Sequence, residues 1–179
     1  MAQILGSSTQ VNTTEALGTS GPELNHDAAT MTATGSASSG TVWIYVAGWT
    51  TNTALKVLLY NSSGGLIATL ATFTSGQGTG WISQPFTATI ASGTAYALAY
   101  FPSTVTANIG VADTATWMGM QNTSGTYASP PASGLSFPGF DNGDEARGRL
   151  SIWLDGAAAG GSILLPWQQR GAMGAIVAS

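Results

Sequence analysis

TVWIYVAGWTTNTALKVLLYNSSGGLIATLATFTSGQGTGWISQPFTATIASGTAYALAYF, residues 41–101, is the stretch whose reading decides the fold. Its apolar residues alternate with polar ones or run in short blocks, and Gly, Asn, Ser and Thr cut the blocks apart. Val42-Trp43-Ile44-Tyr45-Val46 is β-branched and aromatic throughout, a composition that packs well on a pleated surface. Strand alternation sets Trp43 and Tyr45 on one face and Val42, Ile44 and Val46 on the other. With both faces apolar, this strand is expected to be central, or to have one face covered by a partner. Leu55–Tyr60 is a second block. The turn Asn61-Ser62-Ser63-Gly64-Gly65 follows, and its glycines reach positive φ cheaply. Leu66–Leu70 then returns, and the three pieces predict a hairpin. Trp81–Ile90 and Thr94–Phe101 are two more strands on either side of the turn Ala91-Ser92-Gly93. Short strands between Gly-rich turns predict an antiparallel β-sandwich or barrel.

On either side of this stretch the pattern weakens. Residues 1–27 are polar and read as an N-terminal arm, with a short strand at Gln3-Ile4-Leu5 and loop from Glu15 to Asp27. Ala28–Ser36 sets Met31, Ala33 and Gly35 against Thr30, Thr32 and Thr34, the alternation of a first strand with small residues inward. Val105–Val111 is a further strand, and Arg149–Asp155 (RLSIWLD) alternates as the closing one. Between them, residues 121–148 are rich in Gly, Ser and Pro; a connection of that length usually serves function or assembly. The sandwich is therefore expected over residues 28–155. Residues 156–179 open on the flexible linker Gly156-Ala157-Ala158-Ala159-Gly160-Gly161-Ser162,. They then turn apolar at Ile163, Leu164, Leu165, Trp167, Met173, Ile176 and Val177. Left in water, such a tail invites aggregation, so these seven residues are expected to dock on another subunit.

Composition narrows the function. Charged residues make up only 7% of the 179, against about 25% in an ordinary soluble domain. Ser, Thr, Gly, Ala and Asn take their place, which suits a secreted protein or a subunit within an assembly. Four basic residues, Lys56, Arg147, Arg149 and Arg170, against eight acidic ones are too few to neutralise a phosphate backbone, which excludes nucleic acid as a partner. No apolar run approaches the ~18 residues of a membrane-spanning helix, so no membrane partner is expected. The N-terminal residues MAQILGSSTQ lack a basic start and an apolar core and do not read as a signal peptide,. Without cysteine there is neither a disulfide framework nor a thiolate metal site,.

One family likeness emerges. Val57-Leu58-Leu59-Tyr60, Gly64-Gly65-Leu66-Ile67-Ala68-Thr69, Gly80-Trp81 and Gly93-Thr94-Ala95-Tyr96-Ala97-Leu98-Ala99-Tyr100 follow one another in order. This pattern resembles a jelly-roll module found in tailed-phage virion proteins and bacterial cell-surface proteins. The resemblance covers about a third of the chain and implies an eight-stranded jelly roll used for display, binding or assembly, with no catalytic residues.

Chemistry-bearing clusters are sparse. His26, the only histidine, stands beside Asp27, but no G-x-S-x-G nucleophile elbow accompanies it, and it reads as a solvated or capping loop residue, not a catalytic base. Asp141-Asn142-Gly143-Asp144-Glu145 is the single acidic cluster. Its oxygens suit Ca²⁺, but it lacks the EF-hand spacing and reads as a turn whose Asp and Asn bond local backbone, with Asp144 or Glu145 pairing Arg147 or Arg149. No cofactor or metal is expected. The leading expectation is a non-enzymatic structural protein of a phage virion, a trimeric capsid decoration subunit that contacts its own copies and the major capsid protein, with a tail or fibre location as the variant. The second expectation is a carbohydrate-binding module, with Trp49 and Trp117 stacking on sugar. A glycosidase is the third and requires two facing carboxylates.

Overall fold

In the computed structural model the chain is all-β, and the structure describes residues 2–8, 13–17, 24–27, 29–49, 54–103, 107–112, 118–121, 126–135, 137 and 149–156. Among these the strands are β1 (Gln3–Gly6), β2 (Thr13–Leu17), β3 (Leu24–Asp27), β4 (Met31–Thr32), β5 (Ala37–Trp49), β6 (Ala54–Asn61), β7 (Leu66–Thr74), β8 (Gly80–Ile90), β9 (Ala95–Pro102), β10 (Ala107–Ala112), β11 (Met118–Gln121), β12 (Arg149–Leu150) and β13 (Ile152–Gly156). The sole helical element in the described part is one 3-10 turn, Ser75–Gln77.

Every pairing is antiparallel, and the strands form two sheets. In the first, β5 is central: β8 lies along one edge, and β13 and β10 share the other. β1 lies outside β13, β2 lies outside β10, and β12 pairs with the end of β10. In the second sheet the order is β11-β3-β9-β6-β7, with β4 beside the first residues of β9. The core lies between the sheets. Val42, Ile44, Val46, Ile152 and Leu154 from the first face Leu55, Val57, Leu59, Leu98 and Tyr100 from the second, and all ten are fully buried. Trp43 and Tyr45 keep part of their surface on the opposite side of β5, as strand alternation requires.

The hairpin β6–β7 forms as its sequence predicts. Asn61 Oδ1 accepts the Ser63 and Gly65 amides, each at 2.9 Å, and Gly64 adopts φ 78°. β8 and β9 are both present but do not pair; β8 joins the first sheet and β9 the second. Their connection turns a corner that Ala33, Ser36 and Tyr96 pin. The Ser92 amide donates to Ser36 Oγ, the Gly93 amide to Ala33 O and the Ala91 amide to the Tyr96 hydroxyl. A two-residue turn can bridge one sheet or cross between two, and here remote residues 33–36 decide which.

Three further readings are refined. Residues 13–17 and 24–27, expected as arm and loop, are strands paired to β10 and β9; strands this short and polar carry no alternation to detect. Met31 and Ala33 are buried and Thr32 and Thr34 exposed, as the alternation of Ala28–Ser36 requires, but only Met31–Thr32 pairs as strand. The closing strand breaks at Ser151 into β12 and β13, and the Ser151 carbonyl accepts both the Tyr45 amide and the Tyr100 hydroxyl at 3.1 Å.

Candidate functional site

The two outer faces of the sandwich are built differently, and the contrast locates the candidate site. β9 reads Ala-Tyr-Ala-Leu-Ala-Tyr-Phe-Pro and is buried on both sides. Its outward residues Ala97, Ala99 and Phe101 form a second apolar cluster with Leu24, Leu58, Tyr60 and Leu135. The cover comes from this chain's own residues 126–135 and 137. Tyr60 Oη donates to Pro131 O at 3.0 Å, and the Leu66 amide donates to Ala132 O at 2.9 Å. Lys56 Nζ donates to Tyr127 O and stands 4.5 Å over the Tyr127 ring. Burial raises the Tyr127 phenol above its ordinary value, against a lowering hydrogen bond with Thr72. Burial also pushes the Tyr60 phenol well above the usual tyrosine range. His26, expected as a solvated or capping loop residue, is instead fully buried in β3 and stacks edge-on against Phe137 with ring centroids 4.8 Å apart, so the histidine belongs to this packed layer.

On the outer face of the first sheet stands an aromatic ladder. The registers place Trp153 beside Trp43 and Trp81 beside Tyr45. The indoles of Trp43 and Trp153 are parallel within 2° with centroids 5.2 Å apart, the offset stack that aromatic quadrupoles favour. Tyr45 and Trp81 meet at 79° and 5.7 Å. All four keep part of their surface exposed. Below them Asp155, only 2% exposed, accepts the Thr41 amide through Oδ1 and the Trp43 indole N–H through Oδ2, both at 3.1 Å. That carboxylate fixes the Trp43 ring and is itself buried beneath the ladder. Ser83 and Pro85 continue the face along β8. Chemically it can stack on, or shed water against, a flat uncharged surface. Among the described residues no three His, Cys, Asp or Glu side chains stand together in a way that could hold a metal ion.

The residues singled out in the sequence lie elsewhere. Trp49 is partly buried against the core, and its indole N–H donates to Gly78 O, so its polar edge is already engaged. Trp117, the acidic cluster 141–145, and the tail residues Ile163, Leu164, Leu165, Trp167, Met173, Ile176 and Val177 lie outside the described residues. The ladder was within reach of the sequence. Strand alternation sets Trp43 and Tyr45 on one face, and alternation in RLSIWLD puts Trp153 opposite Leu154; what the sequence lacks is the register that sets them side by side. Comparison with family models, with characterised proteins and with solved structures yields no match.

Proposed function

We propose that this protein is a non-enzymatic structural subunit of a phage virion, a decoration or cement protein of jelly-roll type that works by burying surface against its own copies and the capsid shell. The observation that carries this reading is the contrast between the two outer faces. One is closed by the chain's own residues 126–135 and 137, while the other presents Trp43, Tyr45, Trp81 and Trp153, beside which the buried Asp155 carboxylate is taken up by the Thr41 amide and the Trp43 indole. A composition with 7% charged residues supports the same reading, because a protein that depends on itself alone for solubility generally carries more charge. Crossing of successive strands between the two sheets is compatible with a jelly roll. The apolar tail from Ile163 to Val177 adds a second docking element. Each 100 Å² of apolar surface it buries contributes about 2.5 kcal/mol before ordering costs.

Deletion of Gly160–Ser179 tests this function. The truncated protein is expected to keep its β-sheet circular dichroism and cooperative unfolding while failing to enter particles. Normal incorporation of the truncated chain rejects the arm.

Carbohydrate binding is the second reading, and the same ladder favours it, since uncharged aromatic faces also stack on sugar rings. A tryptophan fluorescence titration separates the two. A saturable response to a glycan that Trp43→Ala and Trp153→Ala abolish supports sugar binding, and a flat response across a glycan panel rejects it.

A further inference from the structure

The open edges of the two sheets are not equivalent. β1, β4, β11 and β12 have four residues or fewer, and β2 carries Glu15. β7 shifts register twice against β6 and gives its Leu66 amide to Ala132 O. β8 differs: its eleven residues hold no charge, and it pairs with β5 without a shift from Gly80 to Thr87. The bonds of β5 show which way the β8 backbone points. The Tyr45 amide donates to Ser151 O, on the side of β5 away from β8. In an antiparallel pair the amide and carbonyl of one residue point to the same side. Tyr45 and Trp81 are therefore a non-hydrogen-bonded pair, and Trp81 turns its own amide and carbonyl outward. The unbroken register extends this to every second residue, Ser83, Pro85 and Thr87. Among the described residues no strand but β5 pairs with β8, and no group takes up these outward amides and carbonyls.

The side chains of the same residues lie on the aromatic face: Trp81 meets Tyr45, and Ser83 stands opposite Trp43. A strand added at β8 therefore widens the ladder as well as satisfying the edge. Two features fit a second copy of β8. The edge is uncharged, so a two-fold axis, which makes one surface its own partner, brings no like charges together. Pro85 offers a carbonyl but no amide, so the residue opposite it must gain elsewhere. In antiparallel pairing with Ser83 opposite Ser83, that residue is Trp81 of the second copy. Its amide finds the Pro85 carbonyl, and its indole finds the pyrrolidine ring on the same face, a favourable cross-strand pair.

We propose that two copies of this chain join edge to edge through β8, antiparallel about a two-fold axis at Ser83, so that the first sheet and its aromatic face run unbroken through both. The inference rests on the reading above that the protein works by burying surface against its own copies, and it names the contact.

Because the chain has no cysteine, one substitution on the axis tests the pairing in the full-length protein. Residues opposed in a hydrogen-bonded pair stand about 5.5 Å apart at Cα, within disulfide reach. Ser83→Cys, oxidised mildly, is expected to give a species at twice 18.1 kDa on a non-reducing gel, at least tenfold above Thr69→Cys, exposed on β7. Equal yields overturn the pairing. Ser83→Glu and Ser83→Lys each place like charges on the axis. Each is expected to halve the mass that light scattering gives for the wild type, and an equimolar mixture of the two is expected to restore it. A wild-type mass of one chain, a mass that neither charge changes, or a mixture of two folded variants that stays at half overturns the pairing. If Ser83→Glu leaves the mass unchanged while deletion of Gly160–Ser179 still blocks entry into particles, the structural role stands and the edge pairing falls. If Ser83→Glu halves the mass while the truncated chain enters particles normally, the edge pairing stands and the docking tail falls.

Discussion

At the scale of single residues, the strongest constraint on the ladder is a carboxylate that does not show on its surface. Asp155 is 2% exposed and accepts two N–H groups from β5. Hydrogen bonds to a charged acceptor are stronger than neutral ones, and a buried donor left without a partner carries its full desolvation penalty. Asp155→Ala is therefore expected to destabilise by about 2–3 kcal/mol, and Asp155→Asn by about half of that, because the amide oxygen retains one acceptor. Urea unfolding of the three proteins checks the order; equal midpoints for Ala and wild type refute the role. Tyr60 gives a prediction in pH. Its buried phenol ionises well above the ordinary value of 10.0. Below pH 10 folded and unfolded chains both hold the proton and Tyr60 adds no pH dependence. Above it the unfolded chain releases its proton first, so stability falls as pH rises. Tyr60→Phe is expected to flatten that fall between about pH 9 and 11, while losing about 1 kcal/mol at neutral pH with the bond to Pro131 O. Urea midpoints measured across that range check both parts. Neither role was legible in the sequence: RLSIWLD shows an acidic residue at a strand end, and only the pairing of Asp155 with Thr41 explains why its charge is tolerated inside.

At the scale of elements, local signals are legible in the sequence and remote ones are not. The hairpin β6–β7 was legible because Asn61, Gly64 and Gly65 determine their own turn. The central position of β5 was legible from a strand apolar on both faces. That β8 and β9 part into different sheets was not, because Ser36 and Ala33, more than 50 residues upstream, hold the corner. The segment 126–137 reads as Gly, Ser and Pro and carries no period, yet it closes an apolar face. Gly64 shows how closely it fits. A Cβ there would lie 1.6 Å from Leu135 O, whereas at Gly93, with the same φ of 78°, nothing stands within 4 Å. Gly93→Ala is expected to lose only the left-handed penalty of about 1–2 kcal/mol. Gly64→Ala adds the displacement of the covering segment. It is expected to cost at least about 1 kcal/mol more than Gly93→Ala and to hasten proteolysis within residues 126–137. Equal losses and unchanged cleavage at the two sites contradict the packing.

At the scale of the whole molecule, the sandwich was legible from strand spacing and turns, while its division into a covered and an aromatic face required register. The charge inventory was legible outright and bears on how the molecule associates. With four basic and eight acidic residues in 179, and a ladder whose nearest carboxylate is spent on Thr41 and Trp43, little long-range electrostatic attraction is available for assembly. Screening therefore has little to remove: raising sodium chloride from about 0.05 to 1 M shortens the Debye length from over 10 Å to about 3 Å. Apolar burial responds to a different variable, strengthening with ions excluded from the protein surface, such as sulfate. If the ladder and tail hold the protein on its particle, binding is expected to change less than about threefold across that chloride range and to tighten in sulfate. Trp43→Ala with Trp153→Ala is expected to weaken binding at every salt concentration without altering the chloride response. The measurement is the fraction of protein retained on particles in each salt. A steep loss with chloride would place the association on charged groups, and the aromatic face would then not be its basis.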